Sequence, residues 1–203
     1  MKKLYIFDFD GTLVNTFHDT VLSYNKAMQK HGLKEYDYTN IDEVDYDDFI
    51  ENMTHDEEVL ESYGKIYQNC PKKHTKAYTE VQQLLDKLVE KQIELAICSN
   101  REQGQLEEYT HKIFPKTPFK YIIGYVHGES YKPNPEMINK IIDNVPYNDD
   151  EIIYVGDKLE DITTAKNVEI DVAIVTWGQG NSEVYNDEYP VMIADKPSQL
   201  LEL

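Results

Sequence analysis

The chain is short of cysteine, tryptophan and positive charge, and it has no long apolar run. Two cysteines, Cys70 and Cys98, in 203 residues cannot build a disulfide framework, so a reducing cytoplasm is the expected compartment. The most apolar stretches, Ile93–Ser99 and Ile152–Gly156, fall far below the roughly 20 residues that cross a bilayer as a helix. The opening Met1-Lys2-Lys3-Leu4-Tyr5-Ile6-Phe7 has the charged start of a signal peptide. Asp8 and Asp10 interrupt its apolar run, however, and no small-residue cleavage site follows. The six histidines (His18, His31, His55, His74, His111, His127) show no paired ligand spacing, which argues against a zinc site. Lys and Arg total 20 against 38 Asp and Glu, a net charge of −18. Such a surface repels nucleic-acid phosphates and anionic membranes, so neither is an expected partner.

What is present is an alternation of short Ile/Val-rich runs with stretches of helical period. Leu4–Phe9, Glu94–Cys98, Tyr121–Ile123, Ile152–Val155 and Val172–Val175 read as buried strands. Val81, Leu84, Leu85 and Leu88 fall at i, i+3, i+4, i+7, and Met137, Ile138, Ile141 and Ile142 form a second stripe. Strands alternating with helices predict an α/β fold whose parallel sheet is covered on both faces. Its ligands bind beyond the C-terminal strand ends. Residues from Asn15 to about Lys76 break the pattern. They contain no buried-strand run, many acidic and tyrosine residues, and helix-like segments around Thr20–Lys30, Tyr46–Asn52 and Asp56–Gln68. They read as a small helical insertion after the first strand.

Four segments carry polar residues just where the predicted strands stop. Asp8 and Asp10 are two apart, so on a strand their carboxylates share a face while Phe7 and Phe9 point away. Two adjacent acids need a cation between them or a shared proton. Phosphoryl transfer uses both, one carboxylate attacking phosphorus and the other protonating the leaving alcohol. Gly11 lets the backbone pass close to a ligand. A plain turn with Thr12 capping the next helix explains Asp10-Gly11-Thr12 equally well. Ser99, Asn100 and nearby amides suit a phosphate oxygen, though Ser99 could simply be an N-cap. Lys132, held by Pro133 and Pro135, is aimed by a stiff backbone or is an ordinary surface lysine. Asp157 at a strand end suits hard Mg²⁺, with Asp161 one turn on, against a reading as caps of an acidic helix start.

The ordered set Asp8-Phe9-Asp10-Gly11-Thr12, Ser99, Lys132-Pro133 and Gly156-Asp157 with Asp161 resembles the haloacid dehalogenase-like superfamily over nearly the whole chain. Val175-Thr176-Trp177-Gly178-Gln179-Gly180 further resembles its phosphoglycolate phosphatase-like branch. The resemblance implies a Rossmann-like three-layer core, residues 1–14 and 80–203, with an inserted helical cap, residues 15–79. It implies Asp8 as the nucleophile that becomes an aspartyl phosphate and Asp10 as general acid and then base. Gly11, Thr12, Ser99, Asn100 and Lys132 would hold the phosphoryl group. Mg²⁺ would be bound by Asp8, by the Asp10 carbonyl, by Asp157, and by Asp161 in the second shell or through water. The implied substrate is a small phosphorylated metabolite.

Asn15, Thr79-Glu80, Lys158 and Asn167-Val168 depart from the family's usual residues without touching an implied catalytic role. A sugar phosphomutase or other phosphotransferase, and a non-catalytic phosphate-binding protein on the same scaffold, are the alternatives. Thr12 is the residue typical of the phosphatases. Asp10 argues against a dehalogenase, a branch that lacks the second aspartate.

Overall fold

The computed structural model describes residues 1–203, the side chain of Asp42 excepted. Six strands, β1 (Leu4–Phe7), β2 (Glu94–Glu102), β3 (Phe119–Tyr125), β4 (Ile152–Gly156), β5 (Asp171–Val175) and β6 (Met192–Ala194), form one sheet. All neighbours are parallel and the spatial order is β3-β2-β1-β4-β5-β6. This is the doubly wound order, whose direction reverses between β1 and β4, and a ligand crevice opens beyond the strand ends at such a reversal. The fold is thus the Rossmann-like α/β core that the sequence predicts.

Helices are numbered along the chain. α1 (Phe17–Lys30), α2 (Tyr46–Glu51) and α3 (Glu57–Asn69) lie in the insertion. α4 (Val81–Glu90), α5 (Gln103–Ile113), α6 (Glu136–Ile142), α7 (Leu159–Asn167) and α8 (Ser182–Tyr185) follow in the core. Side chains alternate across each strand, and the packing follows that period. Tyr5 and Phe7 join Leu84, Leu85 and Leu88 of α4 on one face. Leu4 and Ile6 join Met137, Ile138 and Ile141 of α6 and Ile162 of α7 on the other. Each aliphatic side chain so buried contributes about 1.5–3 kcal/mol over an exposed one. With both faces covered, the strands read as continuous apolar runs.

The chain divides into two compact units, Met1–Val14 with Ala77–Leu203, and Asn15–Lys76. Ala77, Tyr78 and Thr79 therefore sit with the first. In the second, Phe49 is fully buried at the centre of an aromatic cluster, with the rings of Phe17, Tyr24 and Tyr36 edge-on to it at 5.5, 5.3 and 5.1 Å. Tyr36 and Tyr46 pack against this cluster.

Two expected strand ends are corrected, and one strand is added. β1 stops at Phe7 rather than Phe9, because the chain folds into a turn in which Leu13 and Val14 N–H groups both donate to the Phe9 carbonyl. β2 runs on past Cys98 to Glu102 through a register shift. β6, three residues long, is not among the strands expected from the sequence.

Candidate active site

Asp8 follows directly on β1 and Asp157 on β4, the two strands flanking the switch point. Asp157 and Asp161 are fully buried, and Asp8 is nearly so. One carboxylate oxygen from each of Asp8, Asp157 and Asp161 lies within 4.8 Å of the others. Lys132 is also buried, not a surface residue. Its ammonium donates to Asp8 Oδ1 at 2.9 Å, to Asp161 Oδ1 at 2.7 Å and to the Tyr154 hydroxyl at 2.9 Å. Three carboxyl groups thus cluster with one cation out of water, and their ionisation calls for further positive charge. A site of hard carboxylate oxygens fits Mg²⁺.

The individual bonds separate the acids by role. Asp161 spends Oδ2 on the backbone N–H groups of Asp157 and Lys158, both at 3.0 Å, and Oδ1 on Lys132. It closes the N-terminus of α7 and braces the lysine at once. Asp157 Oδ1 accepts from Thr12 Oγ1 at 3.0 Å and Oδ2 from the Gln179 N–H at 2.7 Å. Asp8 Oδ2 takes no hydrogen bond among the described residues. Gly11 has φ +86°, and a Cβ there would lie 2.2 Å from Asp157 Oδ2. The turn after β1 can run this close to the acid cluster only through glycine.

Burial pushes the Asp8 carboxyl up to about 6 against the pull of Lys132. Burial, then the charges of Asp161 and Asp8, push Asp157 up to about 8. Burial opposes the charge of Lys132, but Asp161 and Asp8 outweigh it and hold the ammonium well above its ordinary value. The charge of Asp161 thus raises both Asp8 and Asp157, and a divalent cation removes that cost.

The remaining sequence-predicted residues are placed less uniformly. Asn100 receives the Lys132 backbone N–H at 2.8 Å and donates to the Lys132 carbonyl at 3.1 Å, so it positions the lysine. Ser99 is buried, and the N-cap of α5 is Glu102, whose carboxylate accepts from Gly104 and Gln105. The Ser99 hydroxyl takes only a 3.4 Å contact from the Arg101 N–H and donates to no described residue. Asp10 does not join the other three acids. Its carboxylate is gripped by Arg101, with Nε at 2.9 Å and Nη2 at 2.5 Å.

Sequence reasoning missed two polar groups in this site. Tyr154 donates to the Cys98 carbonyl at 2.8 Å while accepting from Lys132. Its only signal was a hydroxyl inside an otherwise aliphatic run, and a buried hydroxyl must find a partner. Trp177 Nε1 donates to the Thr12 carbonyl at 3.0 Å, which, with the Gln179 amide, makes the loop after β5 a brace for the turn and for Asp157.

A model of the family described as haloacid dehalogenase-like hydrolase matches residues 5–175. A phosphoglycolate phosphatase of Aquifex aeolicus is 28% identical over 211 residues, covering 99% of this chain and 96% of that protein. A pyrophosphatase PpaX of Bacillus cereus is 25% identical, with 98% and 94% covered. The crystal structure of a candidate phosphoglycolate phosphatase from Lactobacillus delbrueckii subsp. bulgaricus superposes with a TM-score of 0.81 at 25% identity, covering 100% of this chain and 98% of that one.

Proposed function

The chain belongs to the haloacid dehalogenase-like hydrolases, and from that premise we propose that it is a Mg²⁺-dependent phosphatase of small phosphorylated metabolites, with Asp8 as its nucleophile. The observation that carries this reading is the buried cluster of Asp8, Asp157 and Asp161 closed by Lys132. Relatives named for phosphoglycolate and for pyrophosphate hydrolysis support a small phosphorylated substrate.

Mg²⁺, held by Asp8, Asp157 and the Asp10 carbonyl with Asp161 behind them or through water, would supply the positive charge that the buried acids and a phosphoryl group require. Asp8 attacks phosphorus and becomes an aspartyl phosphate, and Asp10 gives its proton to the departing oxygen. Asp10 then takes a proton from the water that hydrolyses the acyl phosphate. Lys132 stays charged throughout and offsets the negative charge around phosphorus, where a fixed cation in a water-poor pocket is strongest. Ser99 offers its buried hydroxyl to a phosphoryl oxygen, and the Gly11–Thr12 turn offers its backbone. The insertion, residues 15–79 on the sequence reading, serves as the cap that governs substrate choice.

Hydrolysis of p-nitrophenyl phosphate tests the reading. Wild type turns it over with Mg²⁺ and stops when the ion is chelated, and Asp8→Asn loses ~10³-fold or more in kcat. Turnover that survives Asp8→Asn removes the assignment of the nucleophile, and turnover indifferent to chelation removes the metal.

A further inference from the structure

Arg101 has no part in the chemistry above, yet it is built into the core. Its side chain is 5% exposed against 26% for its partner Asp10. The guanidinium lies 5.6 Å from the Phe9 ring centroid and 5.4 Å from that of Tyr109. The register shift of β2 between Cys98 and Glu102 spans this residue, and such irregularities re-aim a side chain. The neighbouring strand accommodates the path only at Gly124, where a Cβ would stand 2.7 Å from the Arg101 carbonyl. Backbone, flanking rings and burial all fix the arginine, while the carboxylate is the half of the pair with access to solvent.

We propose that Arg101 is the positioning residue of Asp10. This rests on the phosphatase reading and adds to it the group that aims the proton donor. In the first transfer an Asp8 oxygen bonds to phosphorus as the bond from phosphorus to the leaving oxygen breaks, and the Asp10 proton goes to that oxygen. In the second, a water oxygen bonds to phosphorus and a water proton passes to Asp10. The bond from phosphorus to Asp8 breaks, and its electron pair returns to the Asp8 carboxylate. Between the two transfers Asp10 is a carboxylate, and the two-point fork of Arg101 fixes both its place and the plane of its oxygens. A lysine at this position keeps the charge but not the fork.

The test is leaving-group dependence. kcat/KM is measured for aryl phosphates ranging from the acidic nitrophenol to the weakly acidic methoxyphenol. Wild type is compared with Arg101→Gln and Arg101→Lys, each also made in an Asp10→Asn background. The nitrophenyl ester, whose leaving group departs without a proton, changes less than about threefold in Arg101→Gln, while the methoxyphenyl ester falls ~10²-fold, within the usual range of general acid catalysis. Arg101→Lys falls between wild type and Arg101→Gln on the methoxyphenyl ester. In the Asp10→Asn background the arginine substitutions change either ester by no more than about twofold, because the two residues act as one unit. Equal losses on every ester, or losses additive with Asp10→Asn, overturn the proposal in favour of a phosphate-binding or purely structural arginine and leave the phosphatase reading standing. No turnover of any ester by wild type overturns both. Should Arg101→Gln fail to fold, Arg101→Lys carries the same comparison with the charge retained.

Discussion

Lys132 has three N–H groups, and three buried acceptors take them: Asp8, Asp161 and the Tyr154 hydroxyl. A phosphoryl oxygen that binds the lysine must therefore displace one of these bonds. Tyr154 is the only uncharged acceptor of the three, and it also satisfies the Cys98 carbonyl. Tyr154→Phe leaves a buried ammonium hydrogen and a buried carbonyl without their partner, which costs about 1–3 kcal/mol. The expected result is a lower denaturant midpoint with an unchanged slope. An unchanged midpoint would show that the hydroxyl contributes nothing to holding the lysine.

At the scale of elements, Asp8 and Asp157 are delivered by strand ends and Asp161 by the start of a helix, and this is why much of the site was legible. Asp8 and Asp157 close apolar runs that could only be buried strands, and the reversal between β1 and β4 puts those two runs side by side. Lys132 stands ahead of Pro133, Pro135 and α6, and Asp161 lies in the first turn of α7. What could not be read depends on contacts remote in sequence or on irregular backbone. Arg101 meets Asp10 across 91 positions and through the irregular stretch of β2, a pairing that no local pattern in the sequence signals. The expectation that Asp8 and Asp10 share a strand face failed because β1 ends before either, and the turn sends Asp10 to a different partner. Glu102, one residue past Arg101, capped α5 in place of Ser99 because the strand continued farther than its apolar run.

At the scale of the whole molecule, a chain of net charge −18 folds around carboxyls that resist ionisation. Asp8 and Asp157 are raised from 3.8 to about 6 and about 8. In the metal-free fold these groups hold protons that the unfolded chain has already released between roughly pH 4 and pH 8. The folded state binds more protons there, so their contribution to stability falls as pH rises through that window. Mg²⁺ reverses the effect, because it favours the ionised acids and need not displace protons at the alkaline end. Thermal midpoints in chelator and in excess Mg²⁺ should therefore differ more near pH 8 than near pH 5, and Asp157→Asn should abolish most of that difference. An increment equal at both pH values, or unaltered in Asp157→Asn, would contradict the assignment of this cluster as the cation site.

The central claim is that Asp8 itself carries the phosphoryl group. Enzyme mixed with an aryl phosphate and Mg²⁺, quenched in acid, reduced with borohydride and mapped by peptide mass spectrometry reports this bond directly. Conversion of the aspartate at position 8 to homoserine, dependent on both substrate and Mg²⁺ and absent without either, is the predicted result. Release of phosphate with no conversion at that position, or with conversion at another carboxylate, would contradict the account.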